Sequence, residues 1–242
     1  MYNVLNVSKS GLKAMQYNMD ATADDIANIN TNGYKSKKTS FQELINNDEI
    51  NAGSKCAIGK INFKAGNLIE SPFDYHMAIS GEGFFGVIDE NNNLMLTRNG
   101  SFHMNGNYTI TDDNGYPLVA EYYTPIEEWG DNINISANGE ITDEKSDEMI
   151  LGKVILFKPQ NLDSLVSLGE GRYLPTGNVE LLDSMENDEV FGDINQHFLE
   201  ASNVDIIESL ADMISTQRAY SLNAKAIQTT DDIMGLINDI KR

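Results

Sequence analysis

Cysteine is nearly missing from this chain of 242 residues: Cys56 stands alone. A single thiol forms no intramolecular disulfide and supplies no multi-cysteine metal site. Beside Ala57 and Ile58 it reads as a small buried apolar residue. Histidine is scarce as well, and His76, His103 and His197 share no metal-ligand spacing. No run of about 18 apolar residues occurs, so no segment is suited to crossing a membrane as a helix. In place of a continuous apolar stretch near the start stand Asn3, Asn6, Ser8, Lys9, Lys13 and Asp20. No cleaved secretory signal is therefore expected, and export, if it happens, uses a route that reads no such signal.

Positive charge is in short supply too, with 17 Lys and Arg against 37 Asp and Glu and a net charge of -20. Nucleic-acid binding rests on Lys and Arg displacing counterions, so a phosphate backbone repels such a chain, and so does an anionic membrane surface. Gly81, Gly83 and Gly86 are followed by no Gly-Lys-Ser/Thr, and they read as tight turns between strands rather than a phosphate loop. The acidic pairs Glu127-Glu128, Asp147-Glu148 and Asp188-Glu189 fall on polar stretches and read as solvated faces, not as a pair of catalytic carboxylates. No catalytic residue, cofactor or metal is assigned.

What is present divides into three. The two ends are close to neutral, and almost all of the negative charge falls between them. Residues 1–45 form a first region, a helix and loop. Its helix carries Leu5, Ser8, Leu12, Met15, Met19, Thr22, Ile26 and Ile29 at alternating spacings of three and four. It ends in Asn28-Ile29-Asn30-Thr31-Asn32-Gly33, residues that tolerate the left-handed turn after a helix. Residues 199–242 form the third region, another long helix. Ser202-Asn203-Val204-Asp205 has the form of a capping box, which predicts a start near Asn203. Val204, Ile207, Ala211 and Ile214 follow at helical spacing, then Leu222, Ala226, Thr229, Ile233, Leu236 and Ile240. The gap from 214 to 222 adds one residue to a strict heptad and predicts a local stutter. Between them, residues 46–198 form a central acidic β-domain. Short alternating runs at Met77–Ser80, Phe84–Ile88, Leu94–Thr97, Tyr108–Thr111, Ile133–Ser136 and Val154–Phe157 are separated by Asn- and Gly-rich turns. The expected class is α+β: coiled-coil-type terminal helices packed together, with an all-β middle.

Each terminal stripe is narrow, as in a coiled coil, and a lone helix of that kind is marginal in water. Two outcomes satisfy the pattern equally. The helices form an intramolecular hairpin docked on the β-domain, or they order fully only when copies stack. In the second case the interface is Leu5, Leu12, Met15, Met19, Ile26 and Ile29 with Val204, Ile207, Ile214, Leu222, Ile233, Leu236 and Ile240. Gln217 and Arg218 join it, Arg218 either clamping a carboxylate of a neighbouring copy or remaining a solvated arginine. Lys35, Lys37 and Lys38 either contact acidic middle domains of neighbours or remain a solvated loop. A monomeric module recognising a surface ligand is the competing class, and a wall hydrolase a remoter one.

The stretches Ser10-Gly11-Leu12-Lys13-Ala14-Met15-Gln16 and Ile26 to Lys35, with Phe41 beyond, resemble the N-terminal signature of flagellar rod and hook proteins. Leu199 to Asp205 and Met213 to Tyr220 resemble the C-terminal signature of that family, and Ala78 to Phe85 and Thr97 to Phe102 its middle. Gln217-Arg218-Ala219-Tyr220 and the chain length are more similar to distal than to proximal rod members. Asp24-Asp25, Asn32 and Ser221-Leu222 depart from the usual pattern. The resemblance implies a structural subunit of a tubular, torque-transmitting shaft at the flagellar basal body. Its partners are then other copies of itself, other rod and hook subunits, and the flagellar type III export apparatus.

Overall fold

The computed structural model describes residues 2–44, 53–125, 129, 133–143, 146–177, 180–185 and 190–240. They fall into two compact units, and the chain passes between them four times. One unit comprises residues 1–29, 36–62 and 204–242; the other comprises 30–35 and 63–203. The stretch up to Asn62 thus belongs with the terminal helices, further along than the boundary at 45 read from charge.

The helical unit holds α1 (Tyr2–Ala27), β1 (Lys37–Leu44), β2 (Gly53–Ile61) and α2 (Ile206–Ile240). β1 and β2 pair antiparallel, Phe41 opposite Cys56, with a bulge between Lys37 and Thr39, and this hairpin packs along α1. Asp24 and Asp25, the unusual acidic pair at the end of α1, have a local cause. Both Asp25 carboxylate oxygens accept the Lys37 N–H at 3.2 Å, and Asp24 forms an ion pair with the Lys37 ammonium. Neither carboxylate is spare. Lys37 is therefore an ion-paired strand residue and not a solvated loop residue.

α2 is one unbroken helix of 35 residues. It starts three residues later than the capping-box pattern suggests, because Asn203 is held outside it: its N–H donates to Tyr34 O at 3.3 Å and its side-chain amide to Lys64 O at 2.9 Å. The cap is Asp205, whose carboxylate accepts the N–H groups of Ile207 at 2.8 Å and Glu208 at 3.2 Å.

The second unit is all-β. Its six-stranded sheet runs Leu165–Gly169, Arg172–Pro175, Leu94–Thr97, Phe84–Ile88, Leu156–Pro159, Leu181–Asp183 across its width. A four-stranded sheet runs Ile133–Ile135, Glu140–Asp143, Ser146–Val154, Ala120–Tyr122. Three strand pairs complete it: Met77–Ser80 with Asp193–Gln196, Leu68–Glu70 with Phe198–Glu200, and Phe102–Met104 with Ile110–Asp112. The strands Met77–Ser80, Phe84–Ile88 and Leu94–Thr97 have the bounds that alternation and turn residues predict. The Asn- and Asp-rich stretches act as turns through their side chains. Asn105 Oδ1 accepts from the N–H groups of Asn107 and Thr109, and Asp112 Oδ1 from those of Asn114 and Tyr116. The core gathers Met77, Ile79, Phe85, Val87, Phe102 and Ile141, with Phe85 and Phe102 edge to face at 5.3 Å. Burial of each such side chain contributes about 1.5–3 kcal/mol. Gly100 lies against this core, and a Cβ there would sit 1.6 Å from Met77 O. No side chain fits.

Candidate functional site

Two features stand out, one in each unit. In the β-unit, Glu200 is fully buried and carries two cations, the Lys35 ammonium and the Arg98 guanidinium, the latter at 3.3 Å. Glu200 Oε1 also accepts the Gly66 N–H at 2.8 Å, and its backbone carbonyl accepts the Gly33 N–H at 2.7 Å. Lys35 donates further to Lys64 O, and Arg98 to Gly81 O, both at 2.8 Å. Arg98 lies over the Phe84 ring. Gly33 is required there: its φ is +68°, and a Cβ would meet Asn99 N at 2.3 Å. Burial pulls the Lys35 and Arg98 pKa values down, and the Glu200 charge opposes it in both. Buried cations of this kind need a partner, and Glu200 is that partner. Lys35 is thus a buried ion-pair residue, which neither sequence alternative for it anticipated. Lys35, Gly66 and Arg98, far apart in the chain, meet at this one carboxylate.

In the helical unit, the specific α1–α2 pairs are made by small and polar residues, within a face that also carries Met213, Tyr220, Ile227 and Met234. Ser8 and Ala14 of α1 are buried, as is Thr216 of α2. The Asn18 amide donates to Thr216 Oγ1 at 2.8 Å, and Asn18 Oδ1 accepts from Thr39 of β1. A Cβ on Gly11 would lie 3.3 Å from the Asn223 amide. These two pairs run the helices antiparallel. Covered residues of α2 recur at Ser209, Met213, Thr216, Tyr220, Asn223, Ile227, Thr230 and Met234, an uninterrupted alternation of four and three. No stutter is needed, since the eight-residue gap lies on another face.

That other face is the stripe seen in the sequence. Ile207 is 77% exposed, Leu222 68%, Leu236 63% and Ile240 84%, and Ile214 and Ile233 are exposed as well. At 100° per residue they lie on the side of α2 opposite the contact with α1. Gln217 and Arg218 are also exposed, while Val204 is half-buried ahead of the helix. On α1, Leu12, Met15, Met19 and Ile26 are half-buried, as is Ile29 just beyond its end; the Leu5 side chain lies outside the described residues. The residues that pair the two helices within one chain are therefore not the apolar stripe of α2. Thr216 and Asn223 carry no hydrophobic signal, and Met213, Tyr220, Ile227 and Met234 lie off the Ile and Leu stripe that the spacing picks out.

Among the described residues no group of three or more His, Cys, Asp or Glu side chains is arranged to hold a metal. No helix among them is long and apolar enough to cross a membrane.

Comparison with known proteins gives three family matches in chain order. Residues 5–35 match the flagella basal body rod protein family, residues 78–143 the flagellar hook protein FlgE/F/G D1 domain, and residues 195–240 the flagellar basal body rod FlgEFG protein C-terminal region. The flagellar basal-body rod protein FlgG of Buchnera aphidicola subsp. Baizongia pistaciae is 33% identical over 97% of this chain and 98% of its own. That of Borreliella burgdorferi is 29% identical over the full length of both. The flagellar hook-basal body complex protein FlhP of Bacillus subtilis is 27% identical, again over the full length of both.

Proposed function

The chain belongs to the flagellar basal-body rod protein family, and from that premise we propose that it builds the distal rod by polymerising through its terminal helices. It is a structural protein of the flagellar basal body and not an enzyme. The observation that carries the polymerisation reading is the outward face of α2. Six large aliphatic side chains, Ile207, Ile214, Leu222, Ile233, Leu236 and Ile240, stand exposed on one side of the helix. Exposed large aliphatic side chains recurring along one helix face are costly in water and mark a surface that another protein covers. α1 is already engaged on the opposite side of α2, so the cover comes from outside the chain.

In this reading the shaft transmits torque passively, through packed helices, and the other rod and hook subunits of the basal body are its neighbours along the axis. Delivery in this reading is through the flagellar type III export apparatus. The end-to-end similarity to a hook-basal body complex protein favours a second reading, a position elsewhere on the rod–hook axis. Immunolabelling of isolated basal bodies separates the two positions.

Polymerisation is tested by sedimentation and electron microscopy of the purified chain over a concentration series. Long particles are expected from the native protein. Replacing Leu222 and Leu236 by Gln should leave helix content unchanged and abolish them. A native chain that stays monomeric at high concentration, or a variant that polymerises like it, contradicts the proposal.

A further inference from the structure

The outward stripe of α2 is not purely apolar. Arg218 and Lys225 lie within it, seven residues apart, and so do Asp232 and Asp239, also seven apart. All four side chains are exposed, and none forms a hydrogen bond or ion pair with another described residue. Two cations thus precede two carboxylates on one face at the same interval, and Leu222 and Leu236 occupy the same place within each set. The separation of the sets is 14 residues, two heptads, or about 21 Å along the helix.

The geometry points to a specific register between copies: α2 of one copy lies parallel to α2 of the next, shifted by two heptads. Arg218 then pairs with Asp232 of the second copy and Lys225 with its Asp239, and Leu222 packs on its Leu236 between the two ion pairs. Ala226 falls beside Ile240. The inference rests on the polymerisation reading and adds to it the identity of the contact. The shift matters for the outcome. A parallel contact with an offset leaves the first set of one copy and the second set of the other unused, so the contact repeats without closing. An antiparallel pairing of the same four charges is self-complementary and closes into a dimer. The charges set register rather than strength, because exposed pairs contribute little individually while like charges in the same places are repelled.

Two double variants test this. One carries Arg218→Glu and Lys225→Glu, the other Asp232→Lys and Asp239→Lys; all four positions are exposed, and circular dichroism checks that helix content is retained. Each variant alone brings like charges together and should raise the concentration needed for assembly about tenfold. An equimolar mixture of the two should assemble like the native chain, as should a chain carrying all four changes. The register is overturned if either variant assembles at the native concentration, if the mixture stays as impaired as its components, or if growth stops at a dimer. A native chain that fails to assemble at all overturns the polymerisation reading and this register with it. Native assembly with unaffected variants overturns the register only.

Discussion

Glu200 shows how little of a buried charge is visible in a sequence. Read alone, an acidic residue in a polar motif is a surface residue. Its burial depends on Lys35 and Arg98, which lie 165 and 102 positions away, and only the fold brings them together. Replacing it by Gln keeps the shape and removes the charge, leaving two buried cations uncompensated. Glu200→Gln should cost about 3–5 kcal/mol of stability in denaturant unfolding, and an unchanged midpoint would contradict the role assigned to it. His76 belongs to the same scale. Its Nδ1 is 2.7 Å from Ser71 Oγ, its Nε2 faces Ser101, and Ser101 donates to Asp113 at 3.0 Å. Burial lowers its pKa from the usual 6.5, with His103 adding to the shift and Asp113 opposing it. The folded chain therefore binds this proton less readily than the unfolded chain. Stability contributed here is full above the unfolded value and falls as pH drops from about 6.5 toward the folded value. His76→Asn should flatten that part of the stability–pH curve, and an acid limb of equal slope in both proteins would exclude it.

Elements were legible where a local rule governs them. The strands Met77–Ser80, Phe84–Ile88 and Leu94–Thr97 lie between turns whose Asn and Gly residues set the chain direction, and their bounds follow from that. Both terminal helices follow from spacing. The start of α2 was misplaced because Ser202 and Asp205 both suit a cap, and the choice is made by the hydrogen bonds that hold Asn203 to Tyr34 and Lys64. Asp205→Ala should accordingly cost about 1 kcal/mol and fray the first turn of α2, whereas Ser202→Ala should not; hydrogen exchange of the Ile207 and Glu208 amides distinguishes them. Faces are harder to read. The stripe of Ile and Leu suits either a hairpin within the chain or a contact between copies, and inside the chain the helices meet instead where Gly11 and Asn18 face Asn223 and Thr216. Periodicity marks that a face is covered and leaves open by what.

At the scale of the whole molecule, the two faces of α2 divide two tasks. The face that carries Thr216 and Asn223 holds α1 within the chain, and Asn18, bonded to both Thr216 and Thr39, fixes that pairing in one register. The apolar face is exposed, and the proposed assembly gives it to other copies. The large negative charge falls in the middle region and the ends are close to neutral, which suits the proposed assembly through the ends because like-charged surfaces repel one another. The most direct measurement is thiol labelling at position 222, using Leu222→Cys in a Cys56→Ala background, in the free chain and in the sedimented assembly. The account predicts rapid labelling of the free chain and labelling at least about tenfold slower in the assembly, as a solvent-facing side chain becomes buried between copies. Equal rates in the two samples would mean that the outer face of α2 stays in water, and the rod would then be held together by some other surface.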